Sequence, residues 1–346
     1  MVTLLSQLTH IEIHAIDLEG TARYYEEQIG LRVVNRTDEK IYLRAWGDYY
    51  TYSLVLSRGD APGMVSMAWR TVSAEALEEA VSRVEAAGHA GQWHEPAANI
   101  GRSYVFTGPY GHTMQLFWEA EKYAAPAEFA SQYPDRPERR IGHGLAPRHL
   151  DHVTIAAADV EGFANWYSDT LGFRRMAFAG FDVAGAPVTF FGVLTTNEKS
   201  HDLGVLLDSS DTPGRIHHYA WWVETREDLV RAADLLIENG TPIEYGPGVH
   251  GIGEQVYLYF REPSGLRIEV NTGGYRNYVP DWEPNRWTPE LGADDFYRNV
   301  SLPPSMLEAF PFAAKPTATE QGLVPGSEDA IIAAARHSHE PADLTR

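Results

Sequence analysis

Three side chains of the 346-residue sequence have the types needed to hold a divalent metal ion: His152, His218 and Glu269. Two imidazoles and one carboxylate on one face of such an ion leave coordination positions open, the arrangement used by non-haem Fe(II) oxygenases. A single carboxylate leaves an Fe(II) centre at net +1, able to accept an anionic chelating ligand and still bind dioxygen. The separations, 218 − 152 = 66 and 269 − 218 = 51 residues, mean that only the fold can bring the three together. Spacing alone is therefore weak support. His217 precedes His218, and strand alternation sends one of the pair inward and the other outward; the residues alone do not say which. Glu269 sits in the apolar run 266–270, where an unpartnered carboxylate is costly. A metal would satisfy it. So would a salt bridge to Arg267, two residues away on the same strand face.

The elements that must position these residues occur twice. Residues 8–33 and 150–175 share Leu-x-His, an alternating strand, Asp-hydrophobic-Glu-Gly and an amphipathic helix. Asp17 and Asp159 suit helix N-caps, and Gly30 and Gly172 suit C-caps. Residues 67–88 parallel 219–240, and 103–119 parallel 256–272. Each half reads as strand, helix, two or three strands, then strand, helix and a closing strand pair. The expected class is α+β, two open curved sheets in tandem. The repeat also acts as an internal control. Where the second copy has His152, His218 and Glu269, the first has His10, Ser66 and Gln115. Ser and Gln are poor ligands beside imidazole and carboxylate, so only the second half is expected to bind metal. The expected division is a metal-free domain over 1–135, a metal-binding domain over 145–280, and a partly flexible extension over 281–346. The Pro-, Ala- and charge-rich stretch 122–148 reads as a linker. Partial disorder is expected over 311–329, before a short helix at 330–336.

Composition narrows the function classes. There are no cysteines, which excludes thiolate-held zinc or iron–sulfur sites and a thiol nucleophile. Lys and Arg number 28 against 48 Asp and Glu, a net charge of −20. Such a surface repels nucleic acid and anionic membranes. No apolar run approaches a membrane span, and the N-terminus lacks the basic start of a signal peptide, so the cytoplasm is the expected location. His337 and His339 lack a zincin spacing, and His14, His94, His112 and His143 have no matching partners; none is assigned a role.

From about residue 8 to about 300 the sequence resembles the type I extradiol ring-cleaving dioxygenases of the vicinal oxygen chelate superfamily. It is most similar to the catechol 2,3-dioxygenases. The motifs are LDHVTI, SHDLGV, RIHHYAWWVE and GPGVHGIGEQVYLYFREPSGLRIEV. The segment 287–292 also resembles the catechol-cleaving branch. The resemblance implies paired βαβββ modules, two per domain, with metal only in the C-terminal domain. It implies the ligands His152, His218 (rather than His217) and Glu269, holding Fe(II), or Mn(II), which the same donors accept. It implies His201 as an acid–base residue, His250 near the substrate hydroxyl, and Tyr259 bonding a substrate oxygen, with Tyr257 on the same strand face as its rival. The implied partners are a catechol-type substrate and O2, in a homo-oligomer, with a tetramer suspected. Two positions depart from the branch that takes dihydroxyphenylacetate: Tyr245 replaces an arginine and Thr154 an asparagine. Both point to an uncharged catechol. The alternatives are a bulkier or carboxylated catechol, a metal-dependent isomerase or glutathione transferase with ligands from both halves, or a ligand-sequestering protein of the same superfold.

Overall fold

The computed structural model describes residues 3–183, 185–210, 212–295 and 303–311. The repeat is visible as topology. The first half runs strand Leu5–Ala15, helix Leu18–Tyr24 with a wide final turn Tyr25–Ile29, then strands Arg32–Arg36, Lys40–Arg44 and Leu54–Arg58. The pattern recurs as strand Gly63–Thr71, helix Ala74–Ala86 and strands Gln92–His94, Ser103–Thr107 and Thr113–Phe117. All eight strands form one sheet. Its two modules meet where Leu5–Ala15 pairs antiparallel with Gly63–Thr71, while each of these runs parallel to the last strand of its own module.

The second half repeats this order. Strand His149–Ala157, helix Val160–Leu171 and strands Arg174–Val183, Ala186–Thr195 and Leu203–Leu207 form one module. Strand Arg215–Trp222, helix Arg226–Glu238 and strands Ile243–Val249, Gln255–Arg261 and Arg267–Gly273 form the other. Each half is thus a pair of βαβββ modules, the vicinal oxygen chelate fold. The helix starts follow the sequence reading. Asp17 and Asp159 each accept a bond from the backbone N–H three residues on, at 2.9 Å. Gly30 and Gly172 end their helices at φ 77° and 76°, in the left-handed region that favours glycine.

The stretch read as a linker and the described part of the extension are both docked onto the sheets. In the stretch 122–148, Glu138 is fully buried and lies 3.1 Å from both Arg44 and Arg32. Arg44 also stacks on the Tyr123 ring at 3.4 Å, so the stretch is docked by a desolvated charge cluster. Past residue 281, Asn285–Trp287 pairs parallel with Ala177–Ala179, and Phe310–Pro311 pairs with Arg215–Ile216. This part of the extension is built into the second sheet: Asn285–Trp287 covers the edge strand Arg174–Val183, and Phe310–Pro311 pairs with the first residues of the central strand Arg215–Trp222. The helix expected at 330–336, the stretch 312–329, and His337 and His339 lie outside the described residues. The two halves share one hydrophobic core. Tyr25 and Tyr219 hydrogen-bond to each other within it.

Candidate metal centre and active site

Three neighbouring strands of the second sheet carry the three candidate ligands. Ala220 lies opposite Glu269 on one side and His152 on the other. His218, two residues earlier, shares its sheet face. The donor atoms converge: His152 Nε2 to His218 Nε2 is 3.1 Å, His152 Nε2 to Glu269 Oε2 is 3.2 Å, and His218 Nε2 to Glu269 Oε2 is 2.9 Å. Donors about 2.1 Å from one ion and at right angles to each other lie about 3 Å apart, whereas tetrahedral donors lie about 3.4 Å apart. The triangle therefore fits one face of an octahedron. All three side chains are buried, and Glu269 Oε1 has no hydrogen-bond partner. A buried carboxylate oxygen without a donor is costly unless a cation faces it. Among the described residues this is the one cluster that could hold a metal, and all of it lies in the second half. Arg267, the rival partner for Glu269, is taken up by Glu244 at 2.9 and 3.0 Å.

Both candidate ligand histidines turn Nε2 toward the centre. His152 Nδ1 lies 2.9 Å from Asp151 Oδ2, which fixes its proton away from the centre. Asp151 is held in turn by Lys199 at 2.8 Å, Asn271 at 3.0 Å and Gln255 at 3.2 Å. Burial opposes charge on His152, but the carboxylates of Glu269 and Asp151 outweigh it and lift its pKa to about 9. Burial takes His218 down to about 4, against the pull of Glu269. Burial would raise Glu269, yet the adjoining imidazoles of His152 and His218 hold it well below the carboxylate range.

The histidine doublet departs from the expected alternation. Both His217 and His218 are buried. The pairing with strand His149–Ala157 shifts register between Ile216 and His218, a local bulge that turns the strand. His217 Nδ1 thereby lies 2.6 Å from His218 Nδ1, and His217 Nε2 lies 2.5 Å from the Met306 carbonyl.

The three other candidates gather around the triad. The His201 ring centre is 4.2 Å from that of His152. Burial, reinforced by His152, pulls the His201 pKa well down and keeps it neutral. Tyr259 is the cross-strand partner of Glu269. Its hydroxyl lies 2.9 Å from His250 Nε2, while His250 Nδ1 donates to the Asp294 carbonyl at 2.5 Å. Burial and the Glu269 charge raise the Tyr259 phenol well above its ordinary value, so it stays a proton donor. Tyr257 stacks on His250 with ring centres 3.9 Å apart, but its hydroxyl bonds Asp295 instead. A cleft of about 760 Å³ opens beside the His250 loop, lined in part by Gly251, Trp287 and Leu291.

Sequence reasoning missed Asp151, Lys199, Asn271 and Gln255. The copy comparison held a signal for the first: Thr9 stands where the second copy has Asp151. It missed the segment 303–309 altogether, because nothing in the first half corresponds to it.

The fold and the donor set define a class: the metal-binding vicinal oxygen chelate proteins. The Glyoxalase/Bleomycin resistance protein/Dioxygenase superfamily matches residues 149–270. The chain belongs to its extradiol dioxygenases, which are oxidoreductases. It is 34% identical over 295 residues to a manganese-dependent 2,3-dihydroxybiphenyl 1,2-dioxygenase of Geobacillus genomosp. 3, covering 83% of this chain and 91% of the relative. It is 30% identical over 298 residues to a metapyrocatechase of Pseudomonas sp. (strain CF600), covering 85% and 94%. The fold is shared with homoprotocatechuate 2,3-dioxygenase from Brevibacterium fuscum, at 24% identity and TM-score 0.76, over 89% of this chain and 92% of that one. These relatives set aside the isomerase and the sequestering protein. No helix among the described residues is long and apolar enough to cross a membrane.

Proposed function

We propose that the protein cleaves an uncharged catechol with O2 beside the diol, giving a 2-hydroxymuconic semialdehyde, with Fe(II) held by His152, His218 and Glu269. The observation that carries this reading is the buried triangle of donors with edges of 2.9 to 3.2 Å. The stoichiometry balances without another electron donor, since both atoms of O2 enter the product.

When bound, the ion supplies Lewis acidity that makes a catechol hydroxyl easier to deprotonate, and open positions for the reactants. The residues supply the rest. Tyr259 donates a hydrogen bond to the substrate oxygen that loses its proton, replacing the one it now gives to His250. His250, anchored by the Asp294 carbonyl, accepts a proton or hydrogen bond at Nε2 on the same side. Neutral His201, its ring centre 4.2 Å from that of His152, is read by resemblance as the residue that exchanges a proton with the reacting oxygens. Tyr259 and His201 are buried and His250 is partly so, which limits the access of water to the centre.

The substrate preference rests on Tyr245 and Thr154, both buried and neutral. Neither carries a positive charge, so a carboxylate brought against them would exchange its hydration for at most a neutral hydrogen bond. A second reading, a bulkier diol with Mn(II), is favoured by the Geobacillus relative, whose name specifies both. By resemblance we also read the enzyme as a homo-oligomer, with a tetramer to be checked by sedimentation.

The test is anaerobic loading with Fe(II) or Mn(II), then catechol, dihydroxybiphenyl or dihydroxyphenylacetate with air. Yellow product and one O2 consumed per catechol are expected. Absence of both with every diol, in metal-loaded protein, would overturn the proposal. Equal kcat/KM for catechol and dihydroxyphenylacetate would overturn the uncharged preference.

A further inference from the structure

We infer that His217 is a positioning residue that fixes the proton of His218 on Nδ1, turning the His218 Nε2 lone pair toward His152 and Glu269. The inference rests on the reading of His218 as a metal ligand. It does not depend on which metal or diol is used.

The Met306 carbonyl only accepts, so His217 must donate to it from Nε2, across 2.5 Å. A neutral imidazole carries one N–H, which leaves His217 Nδ1 as an acceptor. His218 Nδ1, 2.6 Å away, must then be the donor. The only lone pair left on His218 is at Nε2, the atom 2.9 Å from Glu269 Oε2. His217 is buried, its ring partners are an imidazole and a carbonyl with no carboxylate among them, and Arg267 donates to its own backbone carbonyl, so a cation there would be unpaired and the ring stays neutral.

The outer end of this relay is itself anchored. Arg267 is fully buried and donates to the carbonyls of His217 at 3.1 Å, Glu308 at 2.9 Å and Ser305 at 2.5 Å. One guanidinium therefore holds the strand bearing the doublet and the turn bearing Met306 at a fixed separation. His152 reaches the same Nδ1–H form through a carboxylate, Asp151. The two ligands are thus set by different devices, and the second one depends on a carbonyl 37 residues beyond Glu269 (306 − 269). This accounts for the doublet, whose first histidine has no other polar partner among the bonds described for its ring.

The experiment uses the full-length protein with ¹⁵N-labelled histidine, stripped of metal with a chelator. Long-range ¹H–¹⁵N correlation spectra at pH 7 report which nitrogen of His218 carries its proton. Nδ1–H is expected, and Nε2–H would overturn the inference without any variant having to fold. Mn(II) affinity is then measured for two variants. His217→Leu removes the acceptor and should weaken binding about 10–100-fold. His217→Asn restores an acceptor oxygen near the Nδ1 position and should recover most of that loss. Unchanged affinity in H217L, or H217N as weak as H217L, would overturn the inference. A wild-type protein with His218 in the Nδ1–H form but no ring cleavage would support the relay and count against the proposed function alone.

Discussion

Two tyrosines two residues apart on one strand make opposite commitments, and this decides what their loss should do. Tyr259 faces the Glu269 carboxylate and bonds His250, whereas Tyr257 bonds Asp295. Y259F is expected to lower kcat about 10²-fold with little change in thermal stability, the usual cost of removing one donor to a developing oxyanion. Y257F should lower the melting temperature and leave kcat within a few-fold. Steady-state kinetics beside thermal melts check the pair, and reversed outcomes would reassign the roles. The charge on His152 gives a second expectation. Its pKa of about 9 means that it holds a proton at pH 7 when no metal is bound. Metal uptake must expel that proton, so affinity should rise about tenfold per pH unit up to about pH 9 and then level. Calorimetry in buffers of different protonation enthalpy measures the release, and none at pH 7 would contradict the assignment. The ligand types were legible in the sequence because imidazole and carboxylate stood where the other copy has hydroxyl and amide. The hydrogen-bond partners that orient them were not. Asp151, Lys199 and Gln255 are common surface residues, and only burial makes them informative.

At the level of elements, the turn 303–309 is secured by charge. Glu244 pairs with Arg267 at 2.9 Å and with Arg261 at 2.8 Å, and Arg261 also reaches Glu308 at 2.6 Å. Burial would raise Glu244, but the two guanidinium groups outweigh it and hold its pKa at about 2. A carboxylate depressed in the folded state stabilises it above its unfolded value, near 4.5. That contribution fades as pH falls from there through about 2. Glu244→Gln should therefore lose stability at neutral pH, by about 3–5 kcal/mol if Arg267 is left without its partner. The gap to wild type should narrow below pH 4.5. Melting curves from pH 7 to pH 3 test this, and a constant gap would point to lost packing rather than lost charge. Strand order and helix caps were readable from periodicity, Asp17, Asp159 and the glycines. The turn was not, because Pro-rich chain after residue 280 carries no apolar period, and its anchors are carbonyls, which every residue has.

For the whole molecule, duplication explains both the likeness and the asymmetry of the halves. His10 pairs with Ala68 as His152 pairs with Ala220, and Ala68 faces Gln115 as Ala220 faces Glu269. The first half thus retains the geometry with the wrong donors, and burial takes His10 down to about 3. Wild type should bind one metal per chain by elemental analysis. The double variant Ser66→His, Gln115→Glu should bind a second, more weakly, because Thr9 and Val65 stand where Asp151 and His217 support the first. One metal per chain in that variant would mean the first half has lost more than its ligands.

The place of Met306 in the chain also orders events in time. Every ligand has left the ribosome some 37 residues before the carbonyl that ends the His217 relay, as 306 − 269 counts. A polypeptide ending before residue 303 lacks the Met306 carbonyl that His217 bonds, so on the inferred relay its His218 is free to present either nitrogen. Tight metal binding, on the same inferred relay, requires the chain through Met306. Fragments ending before residue 303 should leave the cell's iron and manganese for finished copies, a form of quality control written into chain order.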